Sequence, residues 1–230
     1  MGTGEEAEHR QFVIGFYGAM AYGELSAFER FSSDARFSPT LHDRITIGRL
    51  AAAEFAHFEL VSAELAALGA EVEAAMEPFR AFVDAFHERT RPADWYEALM
   101  KAYVVDAVAR DFYRAISDFL DPRSRELIGR IKAGDGQLEL LRDRLAEALA
   151  EDPRLASRLA LWGRRLVGEA LTQTQRMAVE HRFLGMLLRP AEPEKGGGHG
   201  QEPGKAAAQE LFARLTGNHS RRMNALGLTA

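Results

Sequence analysis

Apolar side chains recur at every third or fourth position along nearly the whole chain, separated by runs of Glu, Arg and Ala. Such spacing collects the apolar residues on one face of an α-helix. The sustained alternation of β-branched and polar residues that is typical of half-buried strands is missing. The pattern therefore predicts an all-α protein.

Proline, glycine and short polar clusters divide this pattern into separate helices. The predicted helices cover residues 8–31, 39–68, 71–89 and 92–120, a stretch that begins at 122, residues 153–188 and residues 205–226. A helix can begin at Pro122 because proline is tolerated in a first turn. Asp121, directly before it, is the predicted N-cap.

Four of these helices form two pairs with tight turns, and the helical stretch 71–89 crosses between the pairs. This order is typical of a four-helix bundle with one crossover connection, around which additional C-terminal helices pack. We assign residues 8–188 to the bundle domain, 189–204 to a flexible linker rich in Gly and Pro, and 205–230 to a C-terminal helix. The linker carries too little apolar surface to order itself.

Composition narrows the functional classes. The net charge is −5, so the chain lacks the overall basic field that would hold phosphates, and nucleic-acid binding is disfavoured. Cysteine is absent, which leaves His, Asp and Glu as the strong metal ligands. The N-terminus is acidic, unlike a signal peptide, and charged residues interrupt the most apolar window, 50–72. We expect a cytoplasmic protein with no membrane partner.

Three polar side chains interrupt the apolar stripes of the first two helices. Glu24 lies four residues from both Met20 and Phe28, and Glu54 and His57 share the stripe of the second helix at i and i+3. An isolated ionised carboxylate among core residues is costly unless it is paired or binds a cation. A metal site is the favoured interpretation, and a buried network in which His57 donates to one carboxylate is the alternative.

A Glu on one helix followed by Glu-x-x-His on the next is half of the ligand set of carboxylate-bridged two-metal sites in helix bundles. The segment 21–61, with Glu24 and Glu54-x-x-His57, resembles the ferritin-like family related to the tRNA hydroxylase MiaE, which are non-haem di-iron proteins. The similarity continues through YVVDAVARDFYRAI and RLALWGRRLVGEALTQTQRMA, and is stronger to the actinobacterial type of relative. It implies a ferritin-like bundle that holds iron and activates dioxygen.

The resemblance also implies a carboxylate on the third bundle helix and an acid-x-x-His motif on the fourth. Asp106 supplies the first, although it could instead pair with Arg110 or a tyrosine hydroxyl. At the level of Asp106 the fourth helix has Gly134 and Gln137 where an acid and a His are expected, with Asp135 as a substitute by a shift of register. The predicted metal ligands are therefore Glu24, Glu54, His57 and Asp106, and the second iron position is in doubt.

Two classes of function follow. The first is a non-haem iron oxygenase or hydroxylase, di-iron or reduced to one metal, that acts on a small molecule or a modified nucleoside. The second is a non-catalytic ferritin-like binding or scaffold module that has lost its metal. In a third hypothesis the C-terminal helix docks on the bundle or on another subunit. A homodimer is expected from base rates.

Overall fold

The computed structural model describes residues 3–116, 120–132, 136–180 and 203–229, and these residues are helical with short connections. The all-α prediction is confirmed. The α-helices are α1 (Thr3–Asp34), α2 (Leu41–Ala67), α3 (Val72–Arg89), α4 (Trp95–Ile116), α5 (Pro122–Lys132), α6 (Gly136–Glu151), α7 (Leu155–Glu180) and α8 (Pro203–Ala225). A single turn of 3₁₀-helix, Ala35–Phe37, follows α1.

Local chemistry sets several of these boundaries. The Thr40 hydroxyl accepts a hydrogen bond from the backbone N–H of Asp43 at 3.1 Å, which caps the start of α2. Gly69 ends the same helix region with a φ of 68°, a conformation that favours glycine. The Asp121 carboxylate accepts from the backbone N–H of Ser124 at 3.0 Å, so the predicted cap of α5 is confirmed.

The longest contact surface joins α1 and α2, and α3 crosses from α1 to α7. The close approach of α3 to α1 depends on Gly18, because a Cβ at this position would lie 2.0 Å from the carbonyl oxygen of Ala75. On the other side of the molecule, α4 packs against α6, α7 and α8. The segment 71–89 therefore forms the predicted crossover.

The buried side chains form two core clusters. One lies around α1, α2, α3 and α5, with Phe16, Leu65 and Ile131 almost fully buried. The other lies around α4, α6, α7 and α8, with Met100 and Leu145 completely buried. The helices α5 and α6 thus contribute to different clusters, and the predicted register position Gly134 between them lies outside the described residues.

The C-terminal helix α8 packs against α4 and α7 of the same chain. Met223, near its end, is completely buried in the second core cluster. Residues 189–202 of the predicted linker lie outside the described residues, so the division into domains stays a prediction. Among the described helices, none combines the length and apolar character that crossing a bilayer requires.

Candidate metal centre

The turn between α1 and α2 brings Glu24 level with the Glu-x-x-His motif. Ten residues of α-helix separate Glu24 from Asp34, and thirteen separate Leu41 from Glu54. At about 1.5 Å per residue the first distance is about 15 Å and the second about 20 Å. The 3₁₀ turn Ala35–Phe37 adds about 6 Å to the shorter side. The two arms therefore match, and the carboxylates meet at one height.

Glu24, Glu54 and His57, which we call the Glu–His cluster, each direct one ligand atom to a common point. These atoms all lie within 4.8 Å of one another. The Nδ1 atom of His57 is 3.3 Å from Glu54 Oε2 and 3.5 Å from Glu24 Oε2. Both glutamates are buried, with 4% and 5% of their surface exposed. Three of the four predicted ligands thus come together.

The two carboxylates determine the protonation of His57 in the metal-free chain. Burial lowers the pKa of His57, but hydrogen bonds to Glu24 and Glu54 and their negative charges outweigh it and raise the pKa to about 9. At neutral pH His57 is therefore an imidazolium. A metal ion that binds through Nδ1 must displace this proton, so binding releases a proton and weakens at low pH.

Tyr113, on α4, lies close to the Glu–His cluster. Burial and the negative charges of Glu24, Glu54 and Asp106 raise the pKa of Tyr113 well above its usual range. The phenol therefore stays protonated at any physiological pH. Its ring also packs edge-on against Phe16, with 6.0 Å between the ring centroids. Tyr113 contributes a neutral hydroxyl and apolar surface next to the carboxylates.

Asp106, the fourth predicted ligand, lies outside the Glu–His cluster. Its Oδ2 atom accepts a hydrogen bond from Nε of Arg110 at 2.9 Å, and both side chains are largely buried. This is the pairing that the sequence left open as an alternative. We call it the Asp–Arg pair. As a metal ligand Asp106 stays a prediction, because a metal ion would have to compete with the guanidinium of Arg110 for this carboxylate.

The fourth bundle helix meets the Asp–Arg pair near the predicted level. The Oε1 atom of Gln137, at the start of α6, lies 3.5 Å from Nη2 of Arg110. The two other positions singled out there, Gly134 and Asp135, lie outside the described residues. The carboxylate of Glu169, on α7, pairs with Arg89 at 2.9 Å.

The Glu–His cluster borders a cavity of about 280 Å³ whose lining is mostly apolar. Residues from α1, α3, α4 and α7 supply most of the lining, and Glu24, Glu54, Asp106 and Tyr113 lie on it. Sequence reasoning missed two further members, Lys101 and His87. The sequence pattern did not identify Lys101 as buried, because α4 packs against helices on several sides and buries more than its one apolar stripe.

Comparison with known proteins agrees with this architecture. A family model described as "Ferritin-like domain, actinomycetes" matches residues 7–190. A solved structure described as "Protein 19 with aldehyde deformylating oxidase activity from Synechococcus" matches with a TM-score of 0.64 and 19% sequence identity, over 95% of each chain. At this identity the likeness concerns the fold. The curated proteins contain no significant match.

Proposed function

Because the chain belongs to the actinomycete family of ferritin-like domains, we propose that it binds one iron ion at the Glu–His cluster and acts as a non-haem iron oxygenase or hydroxylase. The observation that carries the proposal is the convergence of Glu24, Glu54 and His57, whose ligand atoms lie within 4.8 Å of one another. The closer relationship to MiaE, and with it a modified-nucleoside substrate, remains a prediction.

The donor set fits iron. Two carboxylates and one imidazole are oxygen and nitrogen ligands of the type that non-haem Fe(II) sites use, and three protein ligands leave coordination positions open. Two buried carboxylates also need positive charge nearby, since burying an uncompensated ionised group is costly. A divalent cation would supply that charge when His57 gives up its proton.

The residues that this chain has at the second half of the usual two-metal ligand set support one bound metal ion rather than two. The carboxylate expected to hold the second metal, Asp106, is paired with the guanidinium of Arg110. That guanidinium is buried and also approaches Gln137. An arginine is permanently charged. We infer that Arg110 provides, within the second helix pair, the positive charge that a second metal ion would otherwise provide.

Iron held at such a site supplies the activation of dioxygen. The chain's own contribution is to bind, orient and exclude water. Glu24 and Glu54 come from two helices whose relative height is set by the 3₁₀ turn, which limits the movement of both ligands. The apolar lining favours a hydrocarbon ligand over bulk water, and Tyr113 places a protonated hydroxyl near the ligand carboxylates.

Metal analysis of protein purified without chelator and supplied with Fe(II) tests the proposal. We expect about one equivalent of iron per chain in wild type, and a loss of affinity of at least about 100-fold in Glu54→Gln and His57→Ala. Oxygen consumption should disappear in both variants. Glu59→Gln, an exposed position on the same helix, is the matched control and should bind iron like wild type.

The variant Asp106→Asn tests whether the site has three protein ligands or four. If Asp106 is not a ligand, the iron affinity of this variant stays within about threefold of wild type, whereas the loss of a ligand lowers the affinity far more. Less than about a tenth of an equivalent of iron in wild type would overturn the proposal, because every ligand of the site is intact there.

The alternative is a ferritin-like module without metal or catalysis. The raised pKa of His57 favours it, because an imidazolium between two carboxylates satisfies all three groups without a metal. In that case Glu54→Gln and His57→Ala change the free energy of unfolding and leave metal content and oxygen consumption unaffected. The same set of variants therefore distinguishes the two functions.

A further inference from the structure

The cavity beside the Glu–His cluster has chemically different ends. Most of its wall is apolar, with Phe82, Phe86, Val105, Val108 and Leu171 among the lining residues. At one end lie Glu24 and Glu54. The lining also includes Arg30, Asp34, His87 and Lys101. Arg30 and Asp34 follow Glu24 on α1 by six and ten residues, or about 9 Å and 15 Å along the helix axis.

Lys101 is the most unusual of these residues because it is a buried cation in an apolar wall, with 5% of its surface exposed. Its ammonium group donates a hydrogen bond to the carbonyl oxygen of Thr90 at 2.8 Å and lies 5.5 Å from the centre of the Phe86 ring. No carboxylate among the described residues forms an ion pair with it. An ammonium group has three N–H donors, so one internal hydrogen bond does not exhaust it.

His87 adds an unused polar atom at the same end. Its Nδ1 atom is buried and has no hydrogen-bond partner. Burial, together with the charges of Lys101 and Arg30, lowers the pKa of His87 to about 3, so its ring is neutral. Buried polar atoms of native proteins are normally hydrogen-bonded, and His87 Nδ1 thus offers the cavity a polar atom that no described residue uses.

The charges at the two ends are opposite. Arg30 and Lys101 carry two positive charges against the single carboxylate of Asp34, and with His87 they form what we call the cationic end. The carboxylates of Glu24 and Glu54 lie at the other end. In the metal-free protein an anionic group is therefore attracted to the cationic end and repelled by the net negative charge of the Glu–His cluster, while a hydrocarbon body between them covers apolar wall.

We propose that this cavity binds an amphiphile with one carboxylate and a hydrocarbon chain, with the carboxylate at Lys101 and Arg30 and the far end of the chain at Glu24 and Glu54. Binding itself is independent of metal. The statement that the far end of the chain lies beside a metal ion rests on the proposed function.

Titration of metal-free protein with three amphiphiles of equal chain length tests the binding. Decanoate should bind at least about tenfold more tightly than decanol, because its head makes charge-assisted hydrogen bonds. Decyltrimethylammonium should bind more weakly than both. Equal affinity for all three, a preference for the cation, or no binding of decanoate below its aggregation concentration would overturn the proposal.

Variants locate the head group. Lys101→Met should weaken decanoate at least about tenfold and leave decanol within about threefold. Arg30→Met, at an exposed position that tolerates change, should weaken decanoate selectively as well and serves if Lys101→Met does not fold. Arg80→Met removes an exposed positive charge elsewhere and should bind decanoate like wild type. Unchanged selectivity in both Lys101→Met and Arg30→Met contradicts the assignment.

The orientation of the chain is tested with Mn(II) as a paramagnetic stand-in for iron. In protein loaded with Mn(II), the methyl protons of bound decanoate should relax faster than the protons next to the carboxylate. The reverse order would overturn the orientation. Absence of Mn(II) binding counts against the proposed function alone, since decanoate binding to metal-free protein still stands, whereas Mn(II) binding without decanoate binding counts against this inference alone.

Discussion

The two helix pairs of this protein handle buried carboxylates in different ways. In the first pair, α1 and α2, Glu24 and Glu54 converge on His57, a side chain that can release its proton and accept a metal in exchange. In the second pair, α4 and α6, Asp106 meets Arg110, which cannot release its proton. The charge partner of a buried carboxylate therefore decides whether that carboxylate can still bind a metal ion. In the first helix pair a metal ion can replace the proton of the charge partner, whereas in the second helix pair the charge partner is permanent.

The largest effect on the free energy of unfolding is expected when the Asp–Arg pair is broken. Arg110→Gln leaves Asp106 as a buried carboxylate without its charge partner and should lower the free energy of unfolding by about 3–5 kcal/mol. The double variant Arg110→Gln/Asp106→Asn should recover most of this loss, because no uncompensated charge remains. Urea unfolding of the metal-free variants measures both.

Arg91→Gln is the control for this experiment, because its pair with Glu88 is exposed and should contribute less than about 1 kcal/mol. An equally small effect of Arg110→Gln would contradict the view that the second pair is held by a buried charge.

The next effect concerns the close packing of α3 against α1, the first helix of the first pair. Gly18→Ala should lower the free energy of unfolding by about 1–3 kcal/mol, because the added methyl group would collide with the backbone of Ala75 and push α3 away from α1. Gly48→Ala on α2 is the matched control. No atom lies within 4 Å of its added Cβ, so this change should stabilise by up to about 1 kcal/mol. Thermal unfolding of both variants decides; a stabilised Gly18→Ala would contradict the close packing.

The smallest effect is a pH dependence of stability that arises from His219 on α8, which packs against α4. Burial and the charge of Arg222 lower the pKa of His219 from 6.5 to about 4. Because the unfolded chain takes up this proton first, stability is full above pH 6.5 and falls as the pH drops toward 4. His219→Leu should remove most of that fall. Identical pH profiles of unfolding for variant and wild type would contradict the assignment.

The sequence predicted the helices and the first pair well, because both depend on local spacing. The period of apolar residues gave most helices to within a few residues, although the single stretch predicted from 122 consists of two helices, α5 and α6. The i, i+3 relationship of Glu54 and His57 follows from helix geometry. The matching height of Glu24 was harder, since it depends on a 3₁₀ turn that adds about 6 Å.

The second pair was predicted less completely, because only part of it depends on local spacing. The ion pair of Asp106 with Arg110 is local, at i and i+4, and was one of the alternatives. The contact of Gln137 with Arg110 depends on how α6 packs against α4. The sequence predicted only that Gln137 lies at about the height of Asp106 along the bundle. The cationic end was missed because Lys101 and His87 come from separate helices, with no periodic signal joining them.

The central claim is that the first helix pair alone holds a metal. Anomalous scattering at the iron absorption edge from crystals grown with Fe(II) tests it most directly. We expect one peak among Glu24, Glu54 and His57 and none beside Asp106, where Arg110 remains in contact. Two peaks, with the second displacing Arg110, or no peak at the Glu–His cluster, would contradict it.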